Sequence, residues 1–188
     1  MPLRSPSARR ALRRTVHLRP ATVADLELLV AHRIGMWRDI GTRTERSLSD
    51  HAPLYRKWIR GRFAGKEVEA VVAEASGRPV GSGALWWMPA HPRPGLPDLV
   101  EPYIMSMYTD PEYRGLGLAT DIVLALLQRA QHRGAFRVLL HASTQGRPVY
   151  ERLGFEPTTE MRKQLRKAVG VRSSPAPVRR RARAGSRR

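Results

Sequence analysis

Hydrophobic and polar positions along this chain fall into alternating segments of two periodicities, and these predict an ordered series of strands and helices. Val16 and Leu18 alternate with polar neighbours between Thr15 and Arg19, which predicts a short strand. Thr22 and Asp25 then form a capping-box-like start, and Leu26, Leu29, Val30, Ile34 and Trp37 recur at helical spacing as far as Gly41. A second helix is predicted from Ser49 to Phe63, with Leu54, Tyr55, Trp58, Ile59 and Phe63 on one side and Pro53 tolerated only in its first turn. Val68 to Ala75 and Val80 to Met88 read as strands joined in a hairpin at Ser76-Gly77-Arg78-Pro79. Met88 to Pro102 contains five prolines and is predicted to be a loop.

The second half repeats the alternation. Tyr103 to Thr109 is β-branched, aromatic and Met-rich and reads as a buried strand, and Ile122, Leu126, Leu127 and Ala130 carry a helix after it. Phe136 to Ala142 is an apolar strand, Gln145 to Leu153 a short helix stopped by Gly154, and Phe155 to Leu165 a last strand. This order is an α/β pattern, and no internal repeat is present.

The chemistry is concentrated where the fourth strand turns into the third helix. Asp110-Pro111-Glu112-Tyr113 is a turn with Pro fixing its second position, and two glycines follow in Arg114-Gly115-Leu116-Gly117-Leu118-Ala119-Thr120. A helix that opens on glycines leaves its first N–H groups unpaired and uncovered, so a phosphate or diphosphate can approach while the helix dipole favours its charge. Arg114 adds a charge-assisted contact at the mouth. A P-loop is excluded because no Lys-Ser or Lys-Thr occurs in the chain, and the Gly-x-Gly-x-x-Gly dinucleotide fingerprint lacks its third glycine.

The segment Arg114 to Ala119 does match Arg/Gln-x-x-Gly-x-Gly/Ala, and so resembles the diphosphate loop of the GNAT superfamily of acyl-CoA-dependent N-acetyltransferases. Val149-Tyr150-Glu151-Arg152-Leu153-Gly154-Phe155 resembles the Tyr-x-x-Leu-Gly-Phe signature of the same family, and Val16 to Leu26 is similar to its usual beginning. The resemblance covers residues 15 to about 165 and implies a central mixed, mostly antiparallel sheet flanked by helices, with a splayed strand pair that binds acyl-CoA. It implies acetyl-CoA as acyl donor, an amine acceptor that is a small molecule or a peptide, no metal and a homodimer.

The family's roles carry over by position. Met107, Tyr108 and Thr109 lie on the strand whose main chain would meet the pantetheine arm, with Met105 and Met107 themselves expected in the core. Arg114, Gly115, Leu116, Gly117, Leu118, Ala119 and Thr120 form the diphosphate loop, and Ser143 is a further cofactor-side candidate. Tyr150 stands where many members place a general acid, and a phenol with an ordinary pKa near ~10 is a stable proton donor at neutral pH. Glu101 is the corresponding candidate for the base that takes a proton from the amine, with Asp98, His91 and His141 as alternatives. Met36, Trp37, Asp39, Glu45, Trp86 and Trp87 are candidates for an acceptor pocket, where acidic groups would favour a cationic amine. The absence of Cys and of Gly-x-Ser-x-Gly leaves no covalent intermediate to expect, so the acyl group would pass by direct attack in a ternary complex.

Charge alters this picture only at the ends. The net charge is +18, yet residues 1–14 hold five Arg and no acid and residues 162–188 hold eleven Lys or Arg and no acid. Residues 15–161 therefore carry 18 basic against 16 acidic groups, so the body lacks the basic face of a folded nucleic-acid binder. The expected organisation is a disordered basic extension (1–14), the acetyltransferase-like domain (15–165) and a disordered basic tail (166–188). Such tails attract polyanions without sequence preference. Two alternatives remain: a non-catalytic acyl-CoA-binding domain tethered to RNA or DNA, and an acetyltransferase of nucleic-acid-associated proteins. The six histidines show no metal spacing, and no apolar run approaches the roughly 20 residues of a membrane span. No hydrophobic region follows the N-terminal arginines, so a cytoplasmic location is expected, with an Arg/Ser/Ala-rich organelle-targeting segment as the alternative.

Overall fold

A computed structural model describes residues 5–92, 94 and 100–163. The chain opens on helix α1 (Pro6–Arg14), in a segment expected to be disordered from its charge. The Ser5 side chain accepts from the Ala8 N–H at 3.3 Å, Pro6 occupies the first turn, and Arg13 and Arg14 sit at the C-terminal end where the helix dipole favours cations. Leu12 packs against the core. The predicted C-terminal tail lies outside the described residues.

Strand β1 (Val16–Pro20) leads through a short 3-10 turn (Val23–Asp25) into α2 (Leu26–Ile40), which stops at Gly41 in the left-handed conformation. Helix α3 (Glu45–Ala64) starts four residues earlier than the hydrophobic pattern predicts, because Thr44 caps it by accepting from the Ser47 N–H at 3.2 Å. Pro53 consequently lies in the helix interior rather than its first turn. Strands β2 (Val68–Ala75), β3 (Arg78–Pro89) and β4 (Val100–Thr109) come next, then a 3-10 turn (Pro111–Tyr113), α4 (Leu118–His132), β5 (Leu139–Leu140) and α5 (Arg147–Arg152).

The five strands lie in sequence order, antiparallel from β1 to β4 and parallel between β4 and β5. One face of the sheet is covered by α4, whose Leu118, Ile122, Val123 and Leu126 are fully buried against β2 and β3. Removing such a side chain, as in Leu126→Ala, costs about 2–5 kcal/mol. On the other face α2 and α3 bury Leu26, Leu29, Val30, Tyr55 and Ile59.

The strands depart from the predicted pattern in three places. Val100 to Pro102, expected in the loop, begin β4 and pair with Trp87 to Pro89 of β3. The seven-residue strand expected at Phe136 to Ala142 shrinks to a two-residue pairing, Tyr103 with Leu139 and Ile104 with Leu140. The strand expected from Phe155 to Leu165 is absent over residues 155–163, where Pro157 and a run of polar residues offer no apolar alternation to bury; 164 and 165 lie outside the described residues. Residues 157–163 are the described part of a separate compact unit and carry no regular secondary structure.

Candidate active site

Beyond Ile104, β4 continues to Thr109 with β3 on one side and no strand on the other among the described residues. The main-chain groups of 105–109 on that edge have no ladder, which is the opening a splayed pair of strands creates. β4 is also bulged here. Ser82 pairs with Tyr108 and Ala84 with Met105, so that Ser106 and Met107 together oppose Gly83, and Ser106 adopts φ 54°. A Cβ on Gly83 would stand 2.4 Å from Met107 Sδ and 2.7 Å from Ile122 Cγ2, so only glycine fits against the bulge. Met107 packs with the α4-side core and Met105 with the α2/α3 side.

The open edge runs into the glycine loop. Gly115 (φ 70°) and Gly117 (φ 86°) are both left-handed, and Gly117 caps α4, so the glycines precede the helix rather than forming its first turn. Nothing lies within 4 Å of where a Cβ on Gly117 would be, and the N–H groups of Leu118, Ala119 and Thr120 open the helix with no intrahelical partner. Leu116 packs on the core and Leu118 is buried, which holds the loop from below. Arg114 donates from Nε to the Thr109 carbonyl at 2.9 Å and pairs with Asp39. Arg9 of α1 donates to the Gly115 carbonyl at 2.7 Å, and Arg13 pairs with Asp121 in the first turn of α4. The loop therefore combines an uncovered helix start with three arginines, Arg9 and Arg13 from α1 and Arg114 from the loop itself, the last two each paired with a carboxylate, and these features fit a diphosphate.

At the other side of the fork stands Tyr150 on α5, its ring edge-on to Phe155 at 5.8 Å. Burial, reinforced by the neighbouring Tyr103, pushes the Tyr150 phenol above its ordinary range, so it remains protonated at neutral pH. The Tyr103 hydroxyl is hydrogen-bonded to His141 Nδ1 just past β5. Ser143 Oγ accepts from the Gly146 N–H at 3.1 Å and so closes the turn into α5. Glu101, at the start of β4, is held by Arg137 through Nε at 2.7 Å and through Nη2. His91 is exposed at the end of β3, and Asp98 lies outside the described residues.

The proposed pocket residues divide. Trp87 is buried, donates to Glu69 Oε1 at 3.0 Å and lies under the Arg133 guanidinium at 3.8 Å, and Trp86 packs edge-on against Trp58. Asp39 pairs with Arg114 and Glu45 with Arg38, while Met36 and Trp37 are half-buried on α2. Missing from the sequence reading are Arg9, Tyr103 and two polar residues on α2, the buried His32 and the half-buried Arg33. His32 Nδ1 lies 2.8 Å from Ser82 Oγ and its ring 4.7 Å from that of Tyr108. Arg33 donates from Nη1 to Ser106 Oγ at 2.8 Å and from Nε to His51 Nε2 at 3.1 Å. Among the described residues no cluster of three or more His, Asp or Glu is arranged to hold a metal, and no helix is long and apolar enough to cross a membrane.

Comparison with known proteins adds to this geometry. A family model described as the Acetyltransferase (GNAT) family matches residues 34–155. A glucosamine 6-phosphate N-acetyltransferase of Trypanosoma brucei brucei is 33% identical over 94 residues, which cover 50% of this chain and 62% of that protein. A crystal structure of a GCN5-related N-acetyltransferase from Ralstonia eutropha superposes with a TM-score of 0.75 at 31% identity, covering 80% of this chain and 98% of the other. A predicted acetyltransferase from Clostridium acetobutylicum, solved with acetyl-CoA, gives 0.73 at 27% identity, covering 80% and 96%.

Proposed function

Because this chain belongs to the GNAT acetyltransferase family, we propose that it transfers an acetyl group from acetyl-CoA to a primary amine by direct attack within a ternary complex. The observation that carries the reading is the junction of the open β4 edge with the glycine-capped start of α4, opposite a phenol that burial keeps protonated.

Acetyl-CoA supplies an activated thioester, at whose carbonyl carbon a C–N bond forms as the C–S bond breaks. The N–H groups of Leu118, Ala119 and Thr120 receive the diphosphate, with Gly117 keeping the approach clear, Gly115 making room for the Arg9 guanidinium and Arg114 at the mouth of the loop. The main chain of Met107, Tyr108 and Thr109 aligns the pantetheine arm along the open edge, and Leu116 and Ser143 fix the loops on either side. Tyr150 gives its phenolic proton to the departing sulfur and regains one from solvent. The proton shed by the attacking nitrogen goes to His141, whose exposed imidazole ends β5 beside Tyr103. Glu101, the base expected by position, is the weaker choice, because its carboxylate is already bound by two N–H groups of Arg137.

The test is the thermal midpoint with and without acetyl-CoA, followed by thiol release over a panel of amines. The panel includes glucosamine 6-phosphate, the acceptor after which the trypanosomal relative is named. A raised midpoint and amine-dependent thiol release are expected, and Tyr150→Phe should lower turnover by about 10²–10⁴-fold with little change in acetyl-CoA affinity. No rise at millimolar acetyl-CoA would refute the reading. A rise without thiol release from any amine would mark a non-catalytic acyl-CoA-binding domain instead.

A further inference from the structure

The acids expected to select a cationic amine are already engaged, Asp39 by Arg114 and Glu45 by Arg38, and the unmatched charge on this side of the sheet is of the opposite sign. Arg33, on α2, is partly buried against α3 and β4, and no carboxylate pairs with it among the described residues. Its partners are neutral. Ser106 Oγ accepts from Nη1 and also lies 3.2 Å from the Tyr55 hydroxyl, His51 accepts from Nε, and the Tyr55 ring lies beneath at 4.4 Å. Burial and the adjacent Arg33 both push His51 below its ordinary range, which keeps that imidazole neutral and accepting.

Hydrogen bonds and an aromatic face offset part of the cost of desolvating a guanidinium, but a half-buried cation without a counter-ion still carries a cost that an anion would relieve. A second donor on the same aromatic wall is also unmatched: the buried Nε1 of Trp86, which packs on Trp58, which in turn stacks on Tyr55, has no acceptor among the described residues. The position of Arg33 is specific. Its contact, Ser106, is a bulged residue within the stretch of β4 whose edge is open.

We propose that Arg33 binds an anionic group of the acceptor, so that the substrate is an amine that also carries a carboxylate or a phosphate. This rests on the acetyltransferase reading above. Bound there, the anion supplies the missing counter-charge, and its own amine is directed along β4 toward the thioester end of the open edge. A guanidinium offers a planar fork to either oxyanion, a geometry that Lys does not reproduce.

Matched amines test it on the wild-type protein: an α-amino acid against its primary amide, and glucosamine 6-phosphate against glucosamine, each followed by thiol release. The anionic member of one pair should be favoured by about tenfold or more in kcat/KM, chiefly through KM, and the responding pair tells carboxylate from phosphate. Arg33→Gln should collapse that ratio toward one, and Arg33→Lys should restore it only in part. Equal or inverted preference in the wild type overturns the inference while leaving the acetyltransferase reading intact, as does a ratio that survives Arg33→Gln. Thiol release from none of the amines removes both. Where Arg33→Gln does not fold, Arg33→Lys carries the test, and a ratio that it leaves unchanged overturns the inference as well.

Discussion

Arg9 Nη2 donates to the carbonyl of Gly115 at 2.7 Å, fastening the N-terminal helix to the glycine loop across 106 positions of sequence. Arg13 pairs with Asp121 one helical turn further along, and Leu12 between them packs on the core. These contacts hold both the carbonyl side of the loop and the first turn of α4. Arg9→Ala should therefore loosen the loop by about 1 kcal/mol and weaken acetyl-CoA binding several-fold, with deletion of residues 1–14 acting more strongly in the same direction. Titration calorimetry with acetyl-CoA checks this, and undiminished affinity in the deletion would show that α1 takes no part in forming the loop.

Gly117 separates two demands on one position. Its φ of 86° strains any residue with a side chain, by roughly 1–2 kcal/mol, whereas the space around it is empty. Gly117→Val should then fold with a midpoint lowered by several degrees yet show no acetyl-CoA-dependent rise, because its side chain stands over the N–H groups that receive the anion. Asn tolerates the left-handed conformation better, so Gly117→Asn should lose less stability. A Gly117→Val protein that still responds fully to acetyl-CoA would place the diphosphate elsewhere.

Elements whose signals are local were readable from sequence. Helix α2 ends at Gly41 as its pattern predicts, and the turn that leads into α4 does hold Gly115 and Gly117, though both precede the helix, because helical period, caps and glycine turns are written in consecutive residues. The length of β5 was not readable: Phe136 to Ala142 has the composition of a strand, but only Leu139 and Leu140 meet β4. Which part of a strand finds a neighbour is a tertiary property. Helix α1 was obscured by its arginines, although Ser5 followed by Pro6 is a helix start, and the charges are offset by partners more than a hundred residues away. Arg33 was missed for a related reason. A single Arg on an amphipathic helix reads as a solvated residue, and its burial depends on a bulge in β4 that no local motif announces.

Pro53 gives a prediction of opposite sign. It lies exposed in the interior of α3, where it removes the N–H that would bond the Ser49 carbonyl. Pro53→Ala supplies that donor and removes ring crowding without opening a cavity, so it should stabilise the protein by about 1–3 kcal/mol and raise the thermal midpoint by several degrees. Scanning calorimetry of the two proteins decides it. A lowered midpoint would mean that the restriction Pro53 places on the unfolded chain outweighs the missing hydrogen bond.

Asp25 ties the first strand to the first covered helix and makes the fold acid-sensitive in a defined window. Its carboxylate accepts from Arg19 at 2.7 and 2.8 Å and from the Thr22 N–H at 2.7 Å. The Arg19 hydrogen bonds chiefly hold its pKa at about 2, against an ordinary 3.8, with burial opposing. A depressed folded-state pKa contributes stability that is fully present above the unfolded value and is lost as pH falls through the folded one. The window is therefore pH 4 down to 2, and a shift of this size corresponds to about 2 kcal/mol. Asp25→Asn should destabilise the protein by about that amount or more at pH 7, since it also leaves Arg19 with Glu74 as its one carboxylate among the described residues, and the difference from wild type should shrink as pH falls toward 2. Urea unfolding at pH 7, 4 and 2.5 measures it. A deficit that stays constant across the three would assign the loss to the Thr22 turn and its packing rather than to the charge on Asp25.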